Sequence, residues 1–220
     1  PPTFAHHSLL TGPQGEALSK RLGTLALRDL RAQGVEPMAL LSLLARLGSA
    51  DPVELRTDLD GLVEGFDLSR FSAAPTKFDV TDLFPMTARY LHALPAEAVD
   101  ADLAAAGVPE AERAAFWLAI RGNVASRSEI APWWRVLQDG AEPEIAEEDR
   151  AFVEEALALL PDPPWDATTW GSWTEAVKQA TGRKGKALFM PLRKALTGQG
   201  RGPEMADVMP LMRARPRPRP

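Results

Sequence analysis

Thr24-Leu-Ala-Leu-Arg-Asp-Leu-Arg-Ala-Gln33, closed by Gly34, and Pro37-Met-Ala-Leu-Leu-Ser-Leu-Leu-Ala-Arg-Leu47, closed by Gly48, decide the fold. In the first stretch Leu25, Leu27 and Leu30 fall near one face of a helix. In the second, proline stands in a first turn, where its missing N–H removes no bond. The pair predicts a helix, a turn and a second helix. The same apolar period recurs at 80–93, 100–106, 110–121, 127–137, 147–160, 173–181, 187–196 and 204–212, and alternating strand-like runs are scarce. The fold class is therefore all-α. Prolines and glycines gather at 72–75, 94–96, 107–109, 139–144, 161–164 and 198–203, the expected joints. Those at 94–96 and 139–144 are the strongest, dividing the chain into 1–95, 96–138 and 139–212. A low-complexity end, 213–220, alternates Arg and Pro and is expected to be mobile, because that pattern builds neither helix nor sheet core.

With 220 residues, 45% of them hydrophobic, the chain is long and apolar enough to bury a sizeable core. It has no apolar run of the roughly 20 residues a membrane span needs, and its start lacks a basic segment followed by an apolar one. No membrane association is expected, and a cytoplasmic location follows. The absence of cysteine excludes disulfides and thiolate chemistry, and three histidines (His6, His7, His92) make no recognisable zinc pattern, so no metal site is expected. The chain opens on Pro1 rather than Met, which suggests a piece of something longer.

The net charge of −5 conceals a split. Residues 178–220 carry eleven cations (Lys178, Arg183, Lys184, Lys186, Arg193, Lys194, Arg201, Arg213, Arg215, Arg217, Arg219) against Glu204 and Asp207, a net of +9, which leaves −14 on residues 1–177. Such polarity suits a protein that turns one end to a polyanion. A solubilising basic tail would account for its last four arginines equally well. Five of the six tryptophans lie at 133–134 and 165–173, with two readings, core anchors or platforms for stacked bases.

Thr11-Gly-Pro-Gln-Gly-Glu-Ala-Leu-Ser-Lys-Arg-Leu-Gly-Thr24 is the one segment whose chemistry is legible. Its glycines predict a flexible loop. Ser19, Lys20 and Arg21 put a hydroxyl and two adjacent cations on it, just before a helix, an arrangement that can follow phosphate charge as it shifts. It is not a Walker A loop, since the positions after Gly12 that would need Gly-Lys-Ser/Thr hold Ala17-Leu18-Ser19.

The surroundings of that loop carry a resemblance. Phe4-Ala-His-His-Ser-Leu-Leu-Thr-Gly-Pro-Gln-Gly-Glu-Ala-Leu-Ser-Lys-Arg21 followed by 34–48 resembles the segment of bacterial glutamyl-tRNA synthetases around the second class I signature, KMSKS, often K-L-S-K-R in that family. Far downstream, Gly185-Lys-Ala-Leu-Phe-Met-Pro-Leu-Arg-Lys-Ala-Leu-Thr-Gly198 and Gly202-Pro-Glu204 are similar to the family's C-terminal stretch. Phe66-Asp-Leu-Ser-Arg70 and Lys77-Phe-Asp79 resemble its stem-contact region, so the resemblance covers nearly the whole chain, most loosely over 96–160.

That resemblance implies the C-terminal half of such an enzyme. Residues 1–95 would be the signature loop and a helical stem-contact domain, and 96–138 and 139–212 two helical anticodon-binding subdomains in a superhelical bundle arrangement. In the whole enzyme, Lys20 would contact the phosphates of ATP bound with Mg2+, Ser19 would support the loop and Arg21 would close it. The signature's first lysine is Ala17 here, one cation fewer. His6-His7 does not fit the histidine motif that also holds ATP, so this chain alone is expected not to form the adenylate. Arg193, with the loop at Gly202, Pro203 and Met205, would contact anticodon bases, and Asn123, with Arg121 nearby, would fall on a third such position. A planar guanidinium can read or stack on an unpaired base; an interhelical salt bridge is the other reading of Arg193. Lys184, Lys186, Lys194 and Arg201 would hold backbone phosphates. The implied partner is glutamate tRNA, with glutamine tRNA the second candidate, and the implied state a monomer. A helical protein-interaction module with a basic tail is the alternative from another class; a freestanding phosphotransfer enzyme lacks a carboxylate constellation for a metal.

Overall fold

The computed structural model describes residues 1–2, 4–18 and 26–217. Ser19, Lys20, Arg21, Leu25 and Arg219 lie outside them. The described chain is 56% helical with almost no sheet, and forms two compact units, Pro1–Leu94 with Val124–Arg127, and Pro95–Asn123 with Ser128–Pro220. No described helix is long and apolar enough to cross a membrane.

The first unit holds α1 (Leu27–Ala32), α2 (Pro37–Leu44), α3 (Leu59–Val63) and α4 (Leu83–Ala93). Pro37 stands in the first turn of α2, as its fixed φ favours. Leu30, Val35, Ala39, Leu43, Phe78, Leu83 and Met86 form the core. Leu27 departs from the expected apolar face: it is 69% exposed while Leu30 is 3%. A helix of six residues has room for little more than one turn on the core, and Leu27 begins it. The backbone N–H of Glu36 donates to Thr87 Oγ1 at 3.1 Å, tying the start of α2 to α4. Its carboxylate, nearly buried, takes the guanidinium of Arg127 on both oxygens, at 2.6 and 3.3 Å.

Two short strands also form, β1 (Leu10–Thr11) and β2 (Thr76–Lys77), parallel and in register Leu10 to Thr76. They place Thr11 beside the core residue Phe78, whose N–H donates to Thr11 O at 2.8 Å. The expected flexible loop begins as a closed turn: Gly12 N–H donates to Glu16 O at 2.8 Å, Gly15 N–H to Gly12 O, and Gln14 N–H to the Glu16 carboxylate. Three internal bonds remove the freedom that glycine content alone suggests.

In the second unit are α5 (Asp100–Ala105), α6 (Glu110–Ile120), α7 (Ile130–Asp139), α8 (Glu147–Ala158), α9 (Thr169–Thr181), α10 (Lys186–Thr197) and α11 (Met205–Val208). Helices α8, α9 and α10 pack on one another, and α11 packs on α6 and α9. Trp117, Trp133, Trp134, Trp165 and Trp173 are buried, which decides between their two readings in favour of core; Trp170 alone is half-buried. Trp173 also donates its indole N–H to Ala156 O at 2.7 Å, satisfying its one polar atom. Helix α9 starts earlier than the apolar period predicts, because the Asp166 carboxylate gathers the N–H groups of Thr168 and Thr169 at 2.8 and 3.0 Å.

Helix α10 runs through Pro191 without breaking. Proline removes the N–H that would serve the carbonyl four residues back, Ala187 O. Arg183 Nη1 donates to that oxygen instead, at 3.3 Å, while also pairing with Asp149 and lying 4.0 Å over the Phe152 ring.

The end of the described chain differs from the expected mobile tail. Arg213 N–H donates to Leu137 O and Arg217 N–H to Ala141 O, both at 2.8 Å. Arg215 donates to the carbonyls of Leu157 and Leu160 at 2.7 and 2.8 Å and pairs with Asp162 at 2.6 Å. Alternating proline presets an extended backbone, and each arginine offers donors that a helix end lacks. Residues 213–217 are thereby strapped across the unit.

Candidate nucleic-acid interface

The cations of residues 178–217 fall into two groups. Lys178 pairs with Glu175, Arg183 with Asp149, Arg213 with Glu112 and Arg215 with Asp162. Lys184, Lys186, Arg193, Lys194, Arg201 and Arg217 make no ion pair among the described residues. Of these, Lys184, Lys186 and Arg201 are exposed, and Arg193 and Lys194 half-buried. The unpaired group contains all four cations expected to hold phosphates. Five of these six lie on α10 or within four residues of its ends.

Arg193 lies on the third turn of α10. Its Nη1 donates to Pro203 O, a neutral carbonyl, so the salt-bridge reading finds no acid there. A guanidinium has five donors, and this contact orients it without neutralising it. The loop that supplies the carbonyl approaches through Gly202, whose φ is +152°. A Cβ there would sit 3.1 Å from the Trp133 ring and 3.7 Å from Arg193 Nη1, so the position suits glycine on two counts.

Two members of the expected loop contact set are corrected. Met205 is 0% exposed and Pro203 is buried, because the chain turns at Glu204 to begin α11 and sends both side chains inward. What the loop presents is Gly202, half-buried, and the backbone. Asn123 is exposed and Arg121 half-buried, on the turn of 3-10 helix that closes α6.

Phe189 and Met190 were not singled out in the sequence, yet they are 43% and 39% exposed on α10. Spacing could have found them: they stand three and four places after Lys186, on its face of the helix. The Phe189 ring lies 6.2 Å from that of Trp170. Cations interleaved with exposed apolar side chains are suited to a backbone of phosphates and its unpaired bases.

The signature residues Ser19, Lys20 and Arg21 fall outside the described residues, and the turn at 11–17 leads into them. No group of three His, Asp or Glu side chains able to hold a metal ion occurs among the described residues.

Residues 122–213 match the protein-family model for an anticodon binding domain. Glutamate–tRNA ligase 1 of Ruegeria pomeroyi is 72% identical over 211 residues, which is 96% of this chain and 48% of that protein. Glutamate–tRNA ligase 2 of Dinoroseobacter shibae is 65% identical over 215 residues, 98% of this chain and 49% of that one. The crystal structure of glutamate-tRNA synthetase from Elizabethkingia anophelis shares the fold, with a TM-score of 0.69 at 22% identity, over 97% of this chain and 49% of that chain. The chain spans about half the length of the relatives it matches. By homology along almost all of its own length, it belongs with that half of the glutamate–tRNA ligases which carries the anticodon-binding domain.

Proposed function

We propose that this chain is the RNA-gripping part of an enzyme that joins glutamate to its tRNA. The observation that carries the reading is a local cluster: Lys184, Lys186, Arg193, Lys194 and Arg201, on and next to α10, have no acidic partner among the described residues and lie within the segment matched to an anticodon binding domain. Lysines hold phosphates as point charges and position the RNA, while Arg193, oriented by Pro203 O, has donors left for the edge of an unpaired base. Arg121 and Asn123 offer a second group of donors to the loop. By this reading 1–95 is the signature loop and stem-contact domain, and 96–138 and 139–212 are two anticodon-binding subdomains. Ser19, Lys20 and Arg21 serve ATP and Mg2+ in the whole enzyme, and this chain alone forms no glutamyl-adenylate. It acts as a monomer in the cytoplasm.

The test is the salt dependence of binding to glutamate tRNA. Neutralising four phosphates through Lys184, Lys186, Lys194 and Arg201 gives a slope of about −3 in log affinity against log salt, by the factor of roughly 0.7 per phosphate for single strands. Affinity for tRNA that does not respond to salt, or none at all, would refute the proposal and favour a protein-interaction module.

A further inference from the structure

A cleft of about 480 Å3 opens between the start of α8 and the face of α10. Lys186, Met190 and Lys194 line one side, Ile145 and Asp149 the other, and Gly200 one end. The three α10 residues are successive at four-residue spacing, so they form one stripe, with the two lysines about 12 Å apart along the axis at 1.5 Å per residue. Met190 lies between them, its terminal methyl 3.4 Å from where a Cβ on Gly200 would be. A side chain at that position would stand in contact with the thioether.

We infer that this cleft receives one unpaired base of the bound RNA, its face against Met190 and its flanking phosphates on Lys186 and Lys194. This rests on the tRNA-binding reading and goes further, since it assigns a base site where only phosphate contacts were expected. Charge and shape both point to that occupant. The lone carboxylate, Asp149, is matched by Arg183, which leaves the two lysines as the cleft's net charge. An apolar floor bracketed by cations fits the flat face of a base bracketed by phosphates, a face that an unpaired nucleotide exposes and a paired, stacked one does not. The volume is that of a small-molecule pocket.

Two variants test the cleft without removing a cation. Ala187→Trp, at an exposed lining position, fills it; Met190→Ala removes its floor. The full 220-residue chain is titrated against the anticodon stem-loop of glutamate tRNA, carrying 2-aminopurine at each loop position in turn. The expected result is a change of emission on binding at one position, abolished in both variants. Affinity falls roughly tenfold, within the range for one stacked base, and the salt slope stays as in the unaltered chain. Thermal unfolding of both variants at the unaltered temperature assigns the loss to the cleft. Unchanged affinity and emission in both variants would overturn the inference while leaving tRNA binding intact; failure of the unaltered chain to bind the stem-loop would overturn both. Displacement of the stem-loop by poly-glutamate but not by single-stranded RNA would also overturn it, in favour of an acidic peptide.

Discussion

The guanidinium of Arg193 donates a hydrogen bond to the carbonyl oxygen of Pro203, so the helix and the loop expected to meet the anticodon together are joined by a bond that leaves the charge unmatched. Arg193→Ala should weaken binding to cognate tRNA by about 1–3 kcal/mol, the range for a good side-chain contact to a base. Arg193→Lys keeps the charge but cannot hold a carbonyl and a base edge in one plane, so it should preserve the salt slope and lose discrimination. Filter binding with cognate and anticodon-substituted tRNA measures both; equal losses on the two RNAs would make Arg193 a positioning residue.

Gly140 ends α7 at φ +81°, and a Cβ there would lie 2.5 Å from the backbone oxygen of Arg215. Gly140→Ala meets a strained backbone and a clash with the strap at once. The expected loss of stability is about 2–3 kcal/mol by urea unfolding. In a chain ending at Met212 the clash is gone, and the same substitution should cost about 1 kcal/mol from φ alone. A penalty of equal size in both backgrounds would show that the strap does not press on Gly140.

Arg215 serves the C-terminal end of α8, bonding Leu157 O and Leu160 O while Asp162 holds its other nitrogen. Helix ends leave such carbonyls without partners, and a cation there also meets the negative end of the helix dipole. Arg215→Ala should lower stability by about 1–2 kcal/mol. It should also speed amide exchange over the last turn of α8, with tRNA affinity nearly unchanged. Loss of tRNA affinity without loss of stability would instead make Arg215 a phosphate contact.

Most of the helices were legible because apolar spacing and the glycines at 34, 182 and 198 mark faces and ends locally. The strap was not. A run of Arg and Pro has no periodicity of its own, and what orders it are carbonyls of Leu137, Ala141 and Leu157 supplied from helices far back in the chain. The same holds for the cations. Sequence shows that eleven lie in the last 43 residues, but only packing shows that Arg183 replaces the hydrogen bond lost at Pro191 and that Arg213 faces Glu112. Met205 illustrates the reverse error: a motif places it in a contact loop, and the first turn of α11 draws its side chain into the core.

Asp166 fixes where α9 begins and gives the chain a pH dependence that can be read at one residue. Its carboxyl is held below its usual value of 3.8, chiefly by the hydroxyl of Thr168, then by the Thr168 N–H, with Thr169 adding further bonds. These bonds favour the charged form, so the folded state binds the proton less readily than the unfolded one. The resulting stability is present above the unfolded value and is lost as pH falls through the lower folded one. Asp166→Asn removes the titration. The stability difference between the unaltered chain and this variant should be constant near neutral pH and shrink towards zero in strong acid, tracked by urea midpoints at each pH. Faster exchange of the Thr168 and Thr169 amides in the variant at neutral pH would place the effect at the start of α9. A difference that persists unchanged in acid would show that side-chain shape, not the carboxylate's charge, sets the helix start.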